Sequence, residues 1–131
     1  MNETVHASIQ STFEASNRGT IHFGQVIGDL AAAGVESYHV DYRSGRTTYY
    51  LPDGSTADFR FERPQHGIAD AFDGDAVRAA IRGAQQRRVM YPEFKELSQL
   101  AGCVAYTVWI AGRHLVYHGR RGETHTERFP D

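Results

Sequence analysis

A chain of 131 residues with 40% hydrophobic residues and a formal charge of −2 has the size and balance of one globular domain. It excludes general disorder and nucleic-acid binding by bulk charge. One cysteine, Cys103, rules out an internal disulfide and suits a reducing compartment. It lies in the apolar stretch Gly102–Tyr106, which predicts a buried, inert thiol.

No apolar run approaches the roughly 20 residues that cross a bilayer. Met1–His6 has neither the basic nor the apolar segment of a signal peptide, so the expected location is cytoplasmic.

In chain order, Val5, Ile9 and Phe13 recur at four-residue spacing and predict a helix over 5–16, closed by Gly19. Val26, Leu30 and Ala33 predict a second helix, stopped by Gly34. Residues 37–42 alternate and are rich in aromatic and β-branched types, as a strand requires. Leu51-Pro52-Asp53-Gly54 is a turn before a strand over 56–61. A linker with Pro64 and Gly67 then occupies 63–68.

The second half follows the same course. Asp73 and Asp75 favour a helix start, and Val77, Ile81 and Ala84 carry that helix over 73–86. Pro92 is tolerated in a first turn, and Phe94, Leu97 and Ala101 lead to Gly102. Strands are expected at 105–110 and 113–118 around the tight turn Ala111-Gly112, and at 123–129 after Gly119-Arg120-Arg121-Gly122.

Self-comparison accounts for this recurrence. Gly34-Val35-Glu36-Ser37-Tyr38 stands against Gly102-Cys103-Val104-Ala105-Tyr106, an offset of 102 − 34 = 68. Without a gap, the same offset pairs Phe23 with Tyr91, Tyr49 with Tyr117, Gly54 with Gly122 and Phe61 with Phe129. Such matches at turn glycines and strand tyrosines are the mark of an internal repeat. The reading is an α+β fold: a tandem duplication of an α-α-β-β-β unit, with halves 1–63 and 69–131 in one antiparallel domain.

Ala32-Ala33-Gly34-Val35 with Tyr38, Val40-Asp41 and Thr48-Tyr49-Tyr50 resembles the YdfO-like bacterial family. So does the stretch from Leu100-Ala101-Gly102 through Tyr106, Gly112-Arg113, Tyr117, Gly119 and Gly122. Members of that family are often prophage-borne and labelled "phage envelope protein". The resemblance implies an α+β fold and a bacterial or prophage origin. It implies no activity and no site residue.

Phosphate-cradling, zinc-protease and serine-hydrolase signatures are missing from the sequence, and no cofactor or metal is expected. Strand register supplies the remaining candidates. Trp109 opposite His114 and Ala105 opposite His118 follow from the Ala111-Gly112 turn. A four-residue turn at 119–122 would set His118 against Glu123, Val116 against His125 and His114 against Glu127. That register gathers His114, His118, Glu123, His125 and Glu127 on one sheet face, and Tyr106, Val108, Leu115 and Tyr117 on the helix-facing side.

His118, Glu123 and His125 are therefore the acid–base candidates. His114 and His118 lie about 13 Å apart along one strand, too far to share a metal. Arg120 and Arg121 on the glycine-bounded turn are anion-binding candidates. Tyr106 and Tyr117, with Tyr38 and Tyr49, line either a core or a ligand pocket.

The expected role is a non-catalytic binding or interaction protein whose partner is a protein or a small molecule, with homodimerisation open. The alternative is an enzyme acting on a small polar or anionic substrate through the His/Glu pair. A nucleic-acid-associated prophage protein ranks third, since Glu123, Glu127 and Asp131 lie among the arginines.

Overall fold

In the computed structural model, residues 1–130 are described; Asp131 lies outside them. Helix α1 (Glu3–Arg18) starts at Asn2, whose side chain accepts from the Val5 amide at 2.8 Å. It ends at Gly19, whose left-handed φ of 76° lets the chain turn. Helix α2 (Phe23–Ala32) is followed by Gly34 at φ 89°. Strands β1 (Ser37–Asp41), β2 (Arg46–Tyr50) and β3 (Thr56–Arg60) complete the first half.

Helix α3 (Gly74–Gln85) is capped by Asp73, which accepts from the Ala76 amide. Helix α4 (Tyr91–Leu100) carries Pro92 in its first turn. Strands β4 (Cys103–Trp109), β5 (His114–Gly119) and β6 (Thr124–Arg128) follow.

The strands form one antiparallel sheet in the order β3-β2-β1-β4-β5-β6. The α-α-β-β-β order thus occurs twice, and α2/α4 and β3/β6 stand 68 residues apart (91 − 23; 124 − 56). The central pair has a matching symmetry: Ser37 faces Trp109, His39 faces Thr107 and Asp41 faces Ala105. Exchanging positions 68 apart maps this register onto itself, with the local two-fold axis at His39–Thr107. There the His39 Nδ1 and the Thr107 hydroxyl share a 2.8 Å hydrogen bond.

One sheet face carries Tyr38, Val40, Tyr49, Tyr106, Val108, Leu115 and Tyr117, all buried in one cluster with Ile9, Leu30, Val77, Ile81 and Phe94 of the helices. The expected faces of β4 and β5 hold, with Trp109 opposite His114 and Ala105 opposite His118. The other face is open and carries His39, Thr107, His114, Val116 and His118, with Trp109 and Tyr50 exposed. No helix among the described residues is long and apolar enough to cross a membrane.

The expected β5–β6 register is corrected by one residue. Tyr117 faces His125, Leu115 faces Glu127 and His118 faces Thr124. The hairpin closes earlier than a four-residue turn allows, because the Gly119 amide donates to the Glu123 carbonyl at 2.9 Å. The loop is then Arg120–Gly122, with Gly122 left-handed at φ 84°, the three-residue hairpin geometry. A one-residue slip turns every side chain over. His125 and Glu127 therefore leave the open face and join Tyr117 on the helix side.

Candidate functional site

The two helical hairpins meet over the central strands. Their corners touch where Gly19 of the first packs against Pro92 of the second, and a Cβ on Gly19 would come within 3.2 Å of that ring. Between these corners and the sheet lies a cavity of about 610 Å³, within the range of small-molecule sites. The exposed residues of its lining include Gly24, Gln25, Arg87 and Arg128. Its floor is tyrosine: Tyr38 and Tyr49 on one side of the two-fold axis, Tyr106 and Tyr117 on the other.

The two tyrosine pairs are near copies. Ring centroids are 5.3 Å apart at 36° for Tyr38–Tyr49, and 5.2 Å apart at 37° for Tyr106–Tyr117, within the range of favourable aromatic pairs. The register that opposes Tyr38 to Tyr49 and Tyr106 to Tyr117 dictates this. All four rings are at most 5% exposed. Burial is the largest influence on each hydroxyl and drives its pKa upward, so the four remain neutral phenols.

Hydrogen bonding divides the hydroxyls. The Tyr106 hydroxyl meets that of Tyr91 at 2.6 Å. Among the described residues, the hydroxyls of Tyr38, Tyr49 and Tyr117 have no hydrogen-bond partner, yet each remains reachable by a water molecule. These three are the unused polar groups of the cavity.

Glu127 forms part of the wall. One carboxylate oxygen accepts from Arg82 at 2.7 Å and the other lies 3.2 Å from His125 Nε2. Burial tends to raise its pKa, but the hydrogen bonds from Arg82 and His125 outweigh that and the net shift is downward. With both oxygens engaged, this carboxylate is a poorly placed general base.

The structure separates the sequence-derived candidates. Tyr106 and Tyr117 line the cavity. His118 stays on the open face beyond Thr124, while the Glu123 carboxylate accepts from the Arg121 amide at 2.8 Å. The anticipated His118–Glu123 pair is thus corrected: the slipped register puts Thr124, not Glu123, opposite His118. His125 pairs with Glu127 instead of lying opposite Val116. The Arg120 guanidinium donates to the Ile68 carbonyl at 2.6 Å, and Arg121 pairs with Asp70 at 3.1 Å. Both arginines tie the hairpin tip to the segment before α3.

Cys103 is buried, and desolvation pushes its thiol up to about 12, as an inert cysteine requires. Among the described residues, no group of three His, Cys, Asp or Glu side chains is placed to hold a metal.

Sequence reasoning missed the hydroxyl pairs Tyr91–Tyr106 and Tyr42–Ser98 and the Arg82–Glu127 bridge. Tyr91 and Phe94, three apart, do share a helix face, a signal that was present. Nothing local in sequence links Arg82 to Glu127 across 45 residues.

Residues 10–127 match the family described as Protein of unknown function (DUF1398), and the chain belongs to it. No curated protein matches the chain.

Proposed function

We propose that this protein is a non-catalytic binding module that holds a small molecule in the tyrosine cavity. The observation that supports this is the cavity itself: about 610 Å³ of space remains between helices and sheet where a packed core would leave none. Its walls are mainly apolar with a few unpaired hydroxyls, the usual make-up of a ligand site. An acid–base role is the weaker reading, because both Glu127 oxygens are taken.

An NMR fragment screen on the full chain tests the proposal. Binders should shift resonances of Phe13, Tyr38, Tyr49 and Tyr117. Shifts confined to the open sheet face around Trp109 and His118 would instead favour a protein-interaction surface. Shifts confined to 119–125 would favour the anion-binding turn.

Narrower readings belong to the same proposal. The YdfO-like resemblance supports a prophage-associated origin within the family. A free, buried cysteine fits a cytoplasmic location. The repeated element order and the symmetric β1–β4 register support an origin by duplication. Superposing 1–63 on 69–131 tests that origin: a poor fit of the helices would sink it.

A further inference from the structure

Positions 68 apart repeat the tyrosines of the cavity floor, Tyr38 with Tyr106 and Tyr49 with Tyr117. They differ elsewhere in its lining, as at Ser16/Ala84, Thr47/Leu115 and Phe23/Tyr91, and the last of these differences bears directly on a tyrosine hydroxyl. Tyr91 is the first residue of α4, and Phe23 is the first residue of α2. Tyr91 lies against Phe94, with centroids 6.2 Å apart, and its hydroxyl satisfies that of Tyr106 at 2.6 Å. Phe23 has no hydroxyl, and its ring is turned edge-on to Phe129 at 5.7 Å. Tyr38, the counterpart of Tyr106, is therefore left without the partner that its twin has. Its ring is 5% exposed but its hydroxyl remains reachable by water, so a ligand oxygen can take that place with a direct hydrogen bond.

Resting on the cavity reading above, we propose that the ligand is an uncharged aromatic molecule bearing one hydroxyl or carbonyl oxygen. That oxygen takes, at Tyr38, the place that the Tyr91 hydroxyl holds at Tyr106. An aromatic body suits walls built from Phe13, Phe94 and the tyrosine rings, which favour offset or edge-on ring contacts. An uncharged one suits the floor, where the phenols are neutral and Glu127 is already paired with Arg82 and His125; the lining arginines Arg87 and Arg128 are solvent-exposed. Tyr49 and Tyr117 are unpaired alike in both halves, so they do not mark one side. Tyr38 does.

The test compares 2-naphthol with naphthalene, which share a ring system and differ in one oxygen, by NMR titration of the full chain. The expected result is that both bind in the cavity and 2-naphthol binds about fivefold tighter, the effect of one net hydrogen bond. Tyr38→Phe should abolish that preference while naphthalene affinity stays the same. Tyr42→Phe, which removes a buried hydroxyl bonded to Ser98 outside the cavity lining, should leave the preference intact and so controls for structural damage.

If neither compound binds, the cavity reading falls and this inference falls with it. If both bind equally to the wild type, the inference is overturned and the cavity reading stands. The same holds if the preference survives Tyr38→Phe but is lost in Tyr49→Phe or Tyr117→Phe.

Discussion

Tyr42 and Ser98 offer a test of how α4 is held on the sheet. Both are fully buried, and their hydroxyls lie 2.8 Å apart. Ser98 also donates to the Lys95 carbonyl at 3.2 Å. The serine proton is thereby used, so the tyrosine proton must point to Ser98. Ser98→Ala then strands a buried phenol donor and should destabilise by about 1–3 kcal/mol. Tyr42→Phe removes only an accepted bond and leaves Ser98 its own acceptor, so about 0.5–1.5 kcal/mol is expected.

The double variant strands nothing. It should be clearly more stable than the sum of the singles predicts, with a coupling near 1 kcal/mol or more. Urea unfolding measures all three, and a 2 kcal/mol loss moves the midpoint by roughly 1 M at a slope near 2 kcal/mol/M. Additivity within about 0.4 kcal/mol, or a larger loss for Tyr42→Phe than for Ser98→Ala, would refute the proton order argued here.

Gly34 and Gly102 occupy equivalent helix stops with φ of 89° and 90°. A Cβ on Gly34 meets nothing within 4 Å, whereas one on Gly102 would fall 2.1 Å from the Ala71 carbonyl oxygen. Gly34→Ala should therefore cost about 1–2 kcal/mol from the left-handed backbone alone, and Gly102→Ala distinctly more; equal melting temperatures would contradict this. Tyr106→Ala should cost about 3–5 kcal/mol in denaturant, as a buried aromatic does, and a loss under 1 kcal/mol would mean that the ring contributes little packing.

Burial lowers the pKa of His39, with His118 and Arg43 adding to the effect and Asp41 opposing it. The unfolded chain thus takes up that proton first. This contribution to stability is complete above the unfolded value of about 6.5 and is lost as pH falls below it toward the folded value. His39→Gln should flatten the stability–pH curve in that window, and an unchanged slope would assign it to other groups.

The parts of the fold legible in the sequence are those fixed by local rules. Four-residue spacing placed the helices through Ile9, Val26, Val77 and Phe94, and left-handed glycines closed them at Gly19, Gly34 and Gly102. Alternation across Trp109↔His114 put Tyr106 and Tyr117 on the buried face. The β5–β6 register escaped because two glycines, Gly119 and Gly122, permit either a three- or a four-residue loop. In the structure Gly119 stays in β5 and its amide donates to the Glu123 carbonyl at 2.9 Å, which leaves three loop residues. Gly119 packs so closely on Phe72 that a Cβ there would lie 2.8 Å from it. The cavity was illegible for a different reason. Four tyrosines on one face are compatible with a filled core or an open one, and how the helices pack over that face is not written in any local pattern.

That single-residue slip governs which chemistry the protein can hold. In the four-residue register, His125 and Glu127 would join His114, His118 and Glu123 in a solvated band of histidines and carboxylates, where acid–base pairing is conceivable. In the register adopted, the band is broken. His118 faces a threonine, and Glu123 braces its own turn. The remaining carboxylate enters the cavity wall already paired with Arg82 and in contact with His125. The floor so arranged has aromatic faces and neutral phenol donors, and the lining arginines Arg87 and Arg128 are solvent-exposed. Such a site is poor at moving protons and well suited to holding an uncharged ring. The difference between Phe23 and Tyr91 leaves the Tyr38 hydroxyl without the partner that Tyr106 has, and this is the place the proposed ligand oxygen would take.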